Sequence, residues 1–202
     1  MGGGKKMTYH IVGKGFFEQP TLKLARSLLG CLLVKETDEG MTSGYIVETE
    51  AYMGALDQAA HSFGNRRTKR TEVMFGERGS IYTYVMHTHC LVNVVSGNVG
   101  IPEAILIRAV EPFEGKDLMR ERRKGQPEKN WTSGPGKLTK AMGITMEDYG
   151  GSFRKPPLMI CEGIKPDRIK EGRRIGIENS GEARDYPWRF WIEGNPYVSK
   201  AR

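Results

Sequence analysis

Alternation of apolar and polar residues is clearest in the stretch GYIVETEAYMG, residues 44–54. Successive side chains of an extended strand point to opposite faces, so Glu48, Glu50 and Tyr52 share one face while Val47, Thr49 and Ala51 take the other. Two carboxylates so placed repel each other unless water, a cation or a proton comes between them. A solvated strand face meets that need. So does a site where one carboxylate does acid/base work beside an aromatic ring. The pattern alone leaves both open.

The same kind of pattern divides the rest of the chain. Leu22, Ala25, Leu28 and Leu29 recur at helical spacing between Pro20 and Gly30, which predicts a helix through residues 16–31. Two alternating runs across 31–52, joined by a glycine-containing turn, predict a hairpin. Residues 57–80 keep no sustained period and read as loop. SIYTYVMHTHCLVNVVSG predicts two strands meeting near His87 to His89, and EAILIRAVEP a further strand interrupted by Arg108. EPFEGKDLMRERRKG reads as a helix with a polar face, and WTSGPGKLTKAMGI as a turn leading into a short helix. RIGIENSGEARDYPWRFWIEG reads as two strand-like segments around a Ser-Gly turn. Short strands in hairpin-like succession with few helices predict an α+β fold, one domain with a largely antiparallel sheet. A flexible tail is expected over residues 1–15 and a single domain over 16–202.

Composition narrows the class. The 202 residues are 38% hydrophobic and 27% charged, the balance of a globular chain. No run approaches the roughly 20 apolar residues that span a bilayer, and no signal-like apolar core opens the sequence. A cytoplasmic protein without a membrane partner is expected. Cys31, Cys90 and Cys161 are scattered among apolar neighbours and predict buried packing rather than a disulfide framework. The formal charge of +7 favours a polyanionic partner, nucleic acid above all. Three cationic clusters, NRRTKR (65–70), RERRK (120–124) and RIKEGRR (168–174), point to a phosphate-contacting surface that includes Arg66, Arg67, Lys69 and Arg70.

Three polar constellations are candidates for chemistry: Glu48, Glu50 and Tyr52 with His61; Tyr82, Tyr84, His87 and His89 with Asn93; and Arg108 inside AILIRAV. A lone arginine in an apolar strand is an edge residue or a buried cation, and a buried one requires a carboxylate partner. Other chemistries fail on spacing. The segment before Lys137 has Trp131 where a phosphate-binding loop needs its first glycine, and Leu138 where it needs Ser or Thr. The start of the helix at Lys137 remains a place to meet a DNA phosphate. His87 and His89 share a face, but alternation turns Cys90 away and no further ligand motif completes a metal site. No metal and no cofactor are expected. No G-x-S-x-G motif is present.

Taken in order, IVETEAY, AAHS, YTY, AILIRAVEPFEG, TSGPGKL and RIGIENSGEARDYPWRF resemble the alkyladenine (3-methyladenine) DNA glycosylase family, the type unrelated to helix-hairpin-helix glycosylases. The likeness runs from about Phe16 to Ser199. It implies a curved antiparallel sheet with a protruding β-hairpin, and a monofunctional enzyme, a monomer, that flips alkylated or deaminated purines out of duplex DNA and hydrolyses their N-glycosidic bond. By this resemblance Glu50 activates water, Arg108 and the backbone carbonyl of Ile175 help position it, and Tyr52, His61 and Tyr84 sandwich the base. Asn93 crowds the guanine 2-amino group. Glu48 receives no catalytic role and is expected to partner a cation. The family wedges a large side chain from the hairpin tip into the DNA. Here the tip reads MHTHC, with His87 nominated for the wedge and His89 second. The rival classes are a non-enzymatic nucleic-acid-binding protein and a metal-dependent nuclease built on Glu48, Glu50 and the histidines.

Overall fold

The computed structural model describes residues 8–200. Eight strands form one antiparallel sheet: β1 (Leu32–Thr37), β2 (Gly40–Tyr52), β3 (Ile81–Met86), β4 (His89–Val95), β5 (Ala104–Glu114), β6 (Leu158–Cys161), β7 (Ile169–Gly172) and β8 (Arg189–Ile192). The helices are α1 (Thr21–Ser27), α2 (Lys116–Arg122) and α3 (Pro135–Met142). Strand order is β3-β4-β5-β2-β1-β6, with β8 joined to both β2 and β7. The sheet curls into a half-barrel, a single α+β domain as the patterning predicts.

Strand β2 is the axis of the molecule. One edge pairs with β5; the other pairs first with β1 over 40–45 and then with β8 over 48–50. The half of β2 that carries the carboxylates is therefore central, with strands on both sides. Alternation sorts its faces. Ala51, Ile105, Ile107, Val92 and Val94 face a core shared with Leu24 and Leu28 of α1 and with Leu138 and Met142 of α3. Burial of each such large side chain contributes roughly 1.5–3 kcal/mol. Tyr84, Leu91, Ala104 and Leu106 belong to a smaller cluster with Tyr52 packed against it. That second face carries the site.

Several elements are shorter than the patterning predicts. Helix α1 occupies only Thr21–Ser27, because Lys14–Glu18 forms a separate 3-10 turn ahead of Pro20. The helix expected over 111–125 begins only at Lys116. Residues 111–114 extend β5, and Gly115, at φ +70°, breaks the chain so close to the Met41 carbonyl oxygen that a Cβ would not fit there. Of the tail expected over 1–15, residues 1–7 lie outside the described residues. Residues 8–15 are docked: Val12 is buried, its N–H donates to the Ile160 carbonyl (3.1 Å), and Ile11 bridges Cys161. Residues 174–180, expected as a strand, run as irregular loop, and the partner of β8 is instead β7. The three cysteines are free. No helix among the described residues is long and apolar enough to cross a membrane.

Candidate active site

The register of β2 against β5 is broken twice around Glu48. Ile46 pairs with Val110 and Glu48 with Ala109, leaving Val47 unpaired; Thr49 then pairs with Ile107, leaving Arg108 unpaired. The two irregularities cancel. Without them the register of 49–52 would carry on and place Arg108 directly opposite Glu48. With them Arg108 is displaced towards Glu50, and its guanidinium reaches both acids: Nε donates to Glu48 Oε1 (3.0 Å) and Nη1 to Glu50 Oε2 (3.2 Å). Bulges commonly re-aim a side chain at a functional position in this way.

Both carboxylates are fully buried, yet their surroundings differ. Glu48 accepts four hydrogen bonds, from Arg108 Nε, Arg189 Nε (2.7 Å), the Ser199 N–H (2.6 Å) and the Ser199 hydroxyl (2.8 Å). Glu48 thus meets as many donors as a carboxylate has lone-pair sites, three of them on Oε1 and one on Oε2. Glu50 accepts three, from Arg108 Nη1, the Tyr52 hydroxyl (2.9 Å) and the Ile175 N–H (2.7 Å). One site is left. Burial raises the Glu50 pKa above the ordinary carboxylate value, against the pull of Arg108, Ile175 and Tyr52, and Glu48 adds to the rise. Arg108 loses charge stability to its own burial, but the two acids hold its pKa up. The cation partner expected for Glu48 is thus a pair of arginines.

Above Glu50 lies a cavity of about 240 Å³, lined by Tyr52, His61, Tyr84, Asn93, Arg108 and Ile175 among others. Tyr52 is held from behind. The Arg174 guanidinium stacks between the rings of Tyr52 (4.7 Å) and Trp188 (5.1 Å) and forms a buried pair with Asp57 at 2.5 and 2.8 Å. Across the cavity His61 meets Tyr84 edge to face at 4.5 Å, and its Nδ1 shares a 2.7 Å hydrogen bond with the Tyr82 hydroxyl. Partial burial, with Arg70 and Arg66 nearby, lowers the His61 pKa and keeps the ring neutral near pH 7. Burial and the charge of Glu50 push the Tyr84 hydroxyl up to about 12. Asn93 is fixed by its Nδ2 donating to the Tyr82 carbonyl (3.0 Å). The cavity therefore offers neutral rings over a buried acid.

A second recess, of about 960 Å³, shares Arg108, Ile175 and Glu178 with the first and brings in Lys129, Lys137 and Lys200. His89 stands there too, packed so closely on Gly136 that a Cβ at that glycine would lie 2.7 Å from the His89 Cβ. His87 occupies the hairpin tip at φ +56°, exposed with Met86 and Thr88. The three cationic clusters do not behave alike. In α2, Arg120, Arg122 and Lys124 pair with Asp117, Glu39 and Glu121. Around β7, Arg168 and Lys170 pair with Glu193, Arg173 with Asp185, and Arg174 is buried. In the 65–70 loop Arg67 pairs with Glu72, while Arg66, Lys69 and Arg70 are exposed without an acidic partner among the described residues. One continuous surface built of all three clusters is therefore not what the chain presents.

Arg108, Tyr52, His61, Tyr84, Asn93 and Ile175 thus line one cavity, and Glu50 is buried behind it, hydrogen-bonded to three of them. Patterning along the chain does not single out Arg189, Ser199, Asp57 or Arg174. Arg189 carries a usable signal, since it too is a lone cation in an apolar strand, in WRFW. Among the described residues no three His, Cys, Asp or Glu side chains gather as metal ligands, and arginines take up both carboxylates on which a nuclease site would be built.

Neutral aromatic walls over a buried carboxylate and arginine, on a basic chain, suit an enzyme that excises bases from DNA. The methylpurine-DNA glycosylase family profile matches residues 15–196, and the chain belongs to that family. Membership makes it a DNA-repair hydrolase acting on N-glycosyl bonds. Among its relatives is a protein of Bacillus velezensis named "Putative 3-methyladenine DNA glycosylase", 68% identical over 185 residues, which cover 92% of this chain and 94% of that one. Relatives of the same name from Bacillus subtilis and Oceanobacillus iheyensis are 66% and 56% identical, covering 92% and 97% of this chain and 94% and 99% of theirs.

Proposed function

We propose that the protein is a monofunctional glycosylase that releases alkylated and deaminated purines from duplex DNA and leaves an abasic site. The observation that carries this reading is Glu50: buried behind the aromatic cavity, hydrogen-bonded to Tyr52, Arg108 and Ile175 of its lining, with one lone-pair site left on Oε1. Water at that site gives its proton to Glu50 while its oxygen bonds to the sugar C1′. The N-glycosidic bond breaks and its electron pair leaves with the base. The carboxylate also offsets positive charge that builds on the sugar, by the logic of glycoside hydrolysis. Arg108 favours the ionised form of Glu50 against its burial and helps position the water, and the Ile175 carbonyl is a further water contact. The flipped purine lies among Tyr52, His61 and Tyr84, whose rings favour a cationic alkylated base, and Asn93 crowds a guanine 2-amino group. No lysine lines this cavity among the described residues, which supports water rather than a Schiff-base lysine as the nucleophile. The enzyme acts as a monomer in the cytoplasm, on the nucleoid, without a cofactor or a membrane partner.

His87 at the tip of the hairpin is the wedge that replaces the flipped nucleotide, since His89, although exposed, lies at the base of the tip against Gly136. DNA phosphates lie along Arg66, Arg67, Lys69 and Arg70 and at Lys137 in the second recess. Neutralising Arg66 and Arg70 together weakens binding of lesion and undamaged duplex alike. The slope of log affinity against log salt then shrinks by about 0.9 for each phosphate no longer neutralised. An unchanged slope would return this loop to plain solvated surface.

The deciding experiment uses duplex DNA with one hypoxanthine, incubated with the protein and a chelator and then heated in alkali. Strand cleavage that requires the alkali supports the reading. Cleavage without alkali points to a lyase or nuclease, and tight binding with no cleavage points to a protein that only binds nucleic acid.

A further inference from the structure

The network beneath the cavity continues beyond Glu50 to Ser199, far from the other site residues in sequence. Ser199 is 7% exposed, and every polar atom it has is used. Its N–H donates to Glu48 Oε2 (2.6 Å) and its hydroxyl to Glu48 Oε1 (2.8 Å). The same hydroxyl oxygen accepts Arg108 Nη2 (3.4 Å), and the carbonyl accepts Arg189 Nη2 (3.1 Å). A hydroxyl has one proton to give and lone pairs to receive with, so this set is chemically complete. Ser199 touches Glu48, Arg108 and Arg189, and does not touch Glu50.

We infer that Ser199 is a positioning residue for the reaction: by filling Glu48 it keeps the Arg108 guanidinium stretched between the two carboxylates. The inference rests on the role of Glu50 proposed above. Two of the four bonds to Glu48 come from Ser199, one on each oxygen. Guanidinium and carboxylate prefer a two-bond, fork-to-fork contact, which Arg108 does not make with either acid. Losing the N–H opens Oε2, and losing the hydroxyl frees the Arg108 Nη2 that it accepts; either lets Arg108 turn a second N–H onto Glu48 and withdraw Nη1 from Glu50. An unpaired buried carboxylate takes up a proton readily.

The charged and titratable groups around Glu50 are few enough to name. Glu48 and Tyr52 flank it on β2, Arg108 comes from β5, Tyr84 from β3 and Arg189 from β8, while Arg174 lies behind Tyr52. Of these, Arg108 is the cation in hydrogen-bond contact with Glu50, so its withdrawal is the change that matters.

The test compares Ser199→Ala, which removes the hydroxyl, Ser199→Pro, which removes the N–H, and Ser199→Thr, which keeps both. Two quantities are read: the titration of the Glu50 carboxyl in the free protein by ¹³C NMR, and single-turnover excision against pH. In the Ala and Pro variants both should move to higher pH. Excision near pH 6 should fall ~10-fold while excision near pH 8 falls less than about twofold, because only the ionised base is active. Lesion binding, measured with Glu50→Gln as background, should hold, and Ser199→Thr should restore the parent profile. The inference is overturned if the Ala and Pro variants lose only thermal stability, with the Glu50 titration and the profile superimposable on the parent. The NMR arm needs no DNA, so a parent protein that excises nothing would sink the functional reading and still leave this one decided.

Discussion

Glu48 and Glu50 are the same residue type, two positions apart on one strand face, and equally buried, yet they are held in different ways. Glu48 meets two arginines and both donors of Ser199. Glu50 shares one of those arginines, adds a phenol and one backbone N–H, and keeps a site open. Burial alone does not make a carboxylate reactive. What separates the two acids is where their donors stand: all three of Glu50's line the aromatic cavity, while of Glu48's only Arg108 does.

The largest test of this contrast is chemical. Glu50→Gln keeps the shape and removes the basicity, so single-turnover excision should drop by ~10²-fold or more while lesion binding survives. Glu48→Gln should lose far less in the excision step. Equal losses in the two variants would erase the distinction.

Stability should run the other way. Glu48→Gln strips the charge from a carboxylate that holds two buried arginines, and leaving such a cation uncompensated costs about 3–5 kcal/mol. Urea unfolding reads that loss directly. Glu50→Gln should leave stability unchanged or higher, because the raised pKa of Glu50 means that burial penalises its ionised form. The sign follows from linkage: with a native pKa above the unfolded one, the folded protein binds the extra proton, and this group's contribution falls as pH rises through the window between the two. A destabilised Glu50→Gln protein would show that the open site is not strained.

The smallest effect is a shift along the pH axis. Excision requires ionised Glu50, so the acid limb of the parent profile should lie above the ordinary carboxylate range. Removing the like charge in Glu48→Gln should move that limb to lower pH, opposite in direction to Ser199→Ala. Shifts of the same sign would show that Glu48 acts on Glu50 through something other than charge and the placement of Arg108.

Glu50, Tyr52 and Arg108 stand out in the sequence because their signals are local, whereas His61, Tyr84 and Asn93 take their roles from the family resemblance. Alternation places Glu50 and Tyr52 on one face, and a lone arginine in AILIRAV demands an acid. The hairpins are legible for the same reason. What stays hidden depends on distant partners. Ser199 gains its meaning from Glu48, and Asp57 from Arg174, across separations that no period spans. Residues 174–180 look like a strand, but Arg174 is drawn inward to Asp57 and the Ile175 N–H is committed to Glu50, so tertiary contacts override propensity. The charge clusters mislead in part because counting cations ignores the acids that fold back on them, as Glu39 and Glu193 do.

The cancelling irregularities at Val47 and Arg108 carry a consequence for anyone who would transplant this chemistry. Copying the two glutamates and the arginine onto a regular pair of strands would set Arg108 squarely across from Glu48 and strand its neighbour. The shared guanidinium is encoded in a half-step of backbone, one surplus residue on each strand. A graft therefore has to import the kinked ladder along with the side chains. Deleting Val47 alone would leave the surplus residue at Arg108 uncompensated, and the ladder could close only by giving up the placement of that arginine.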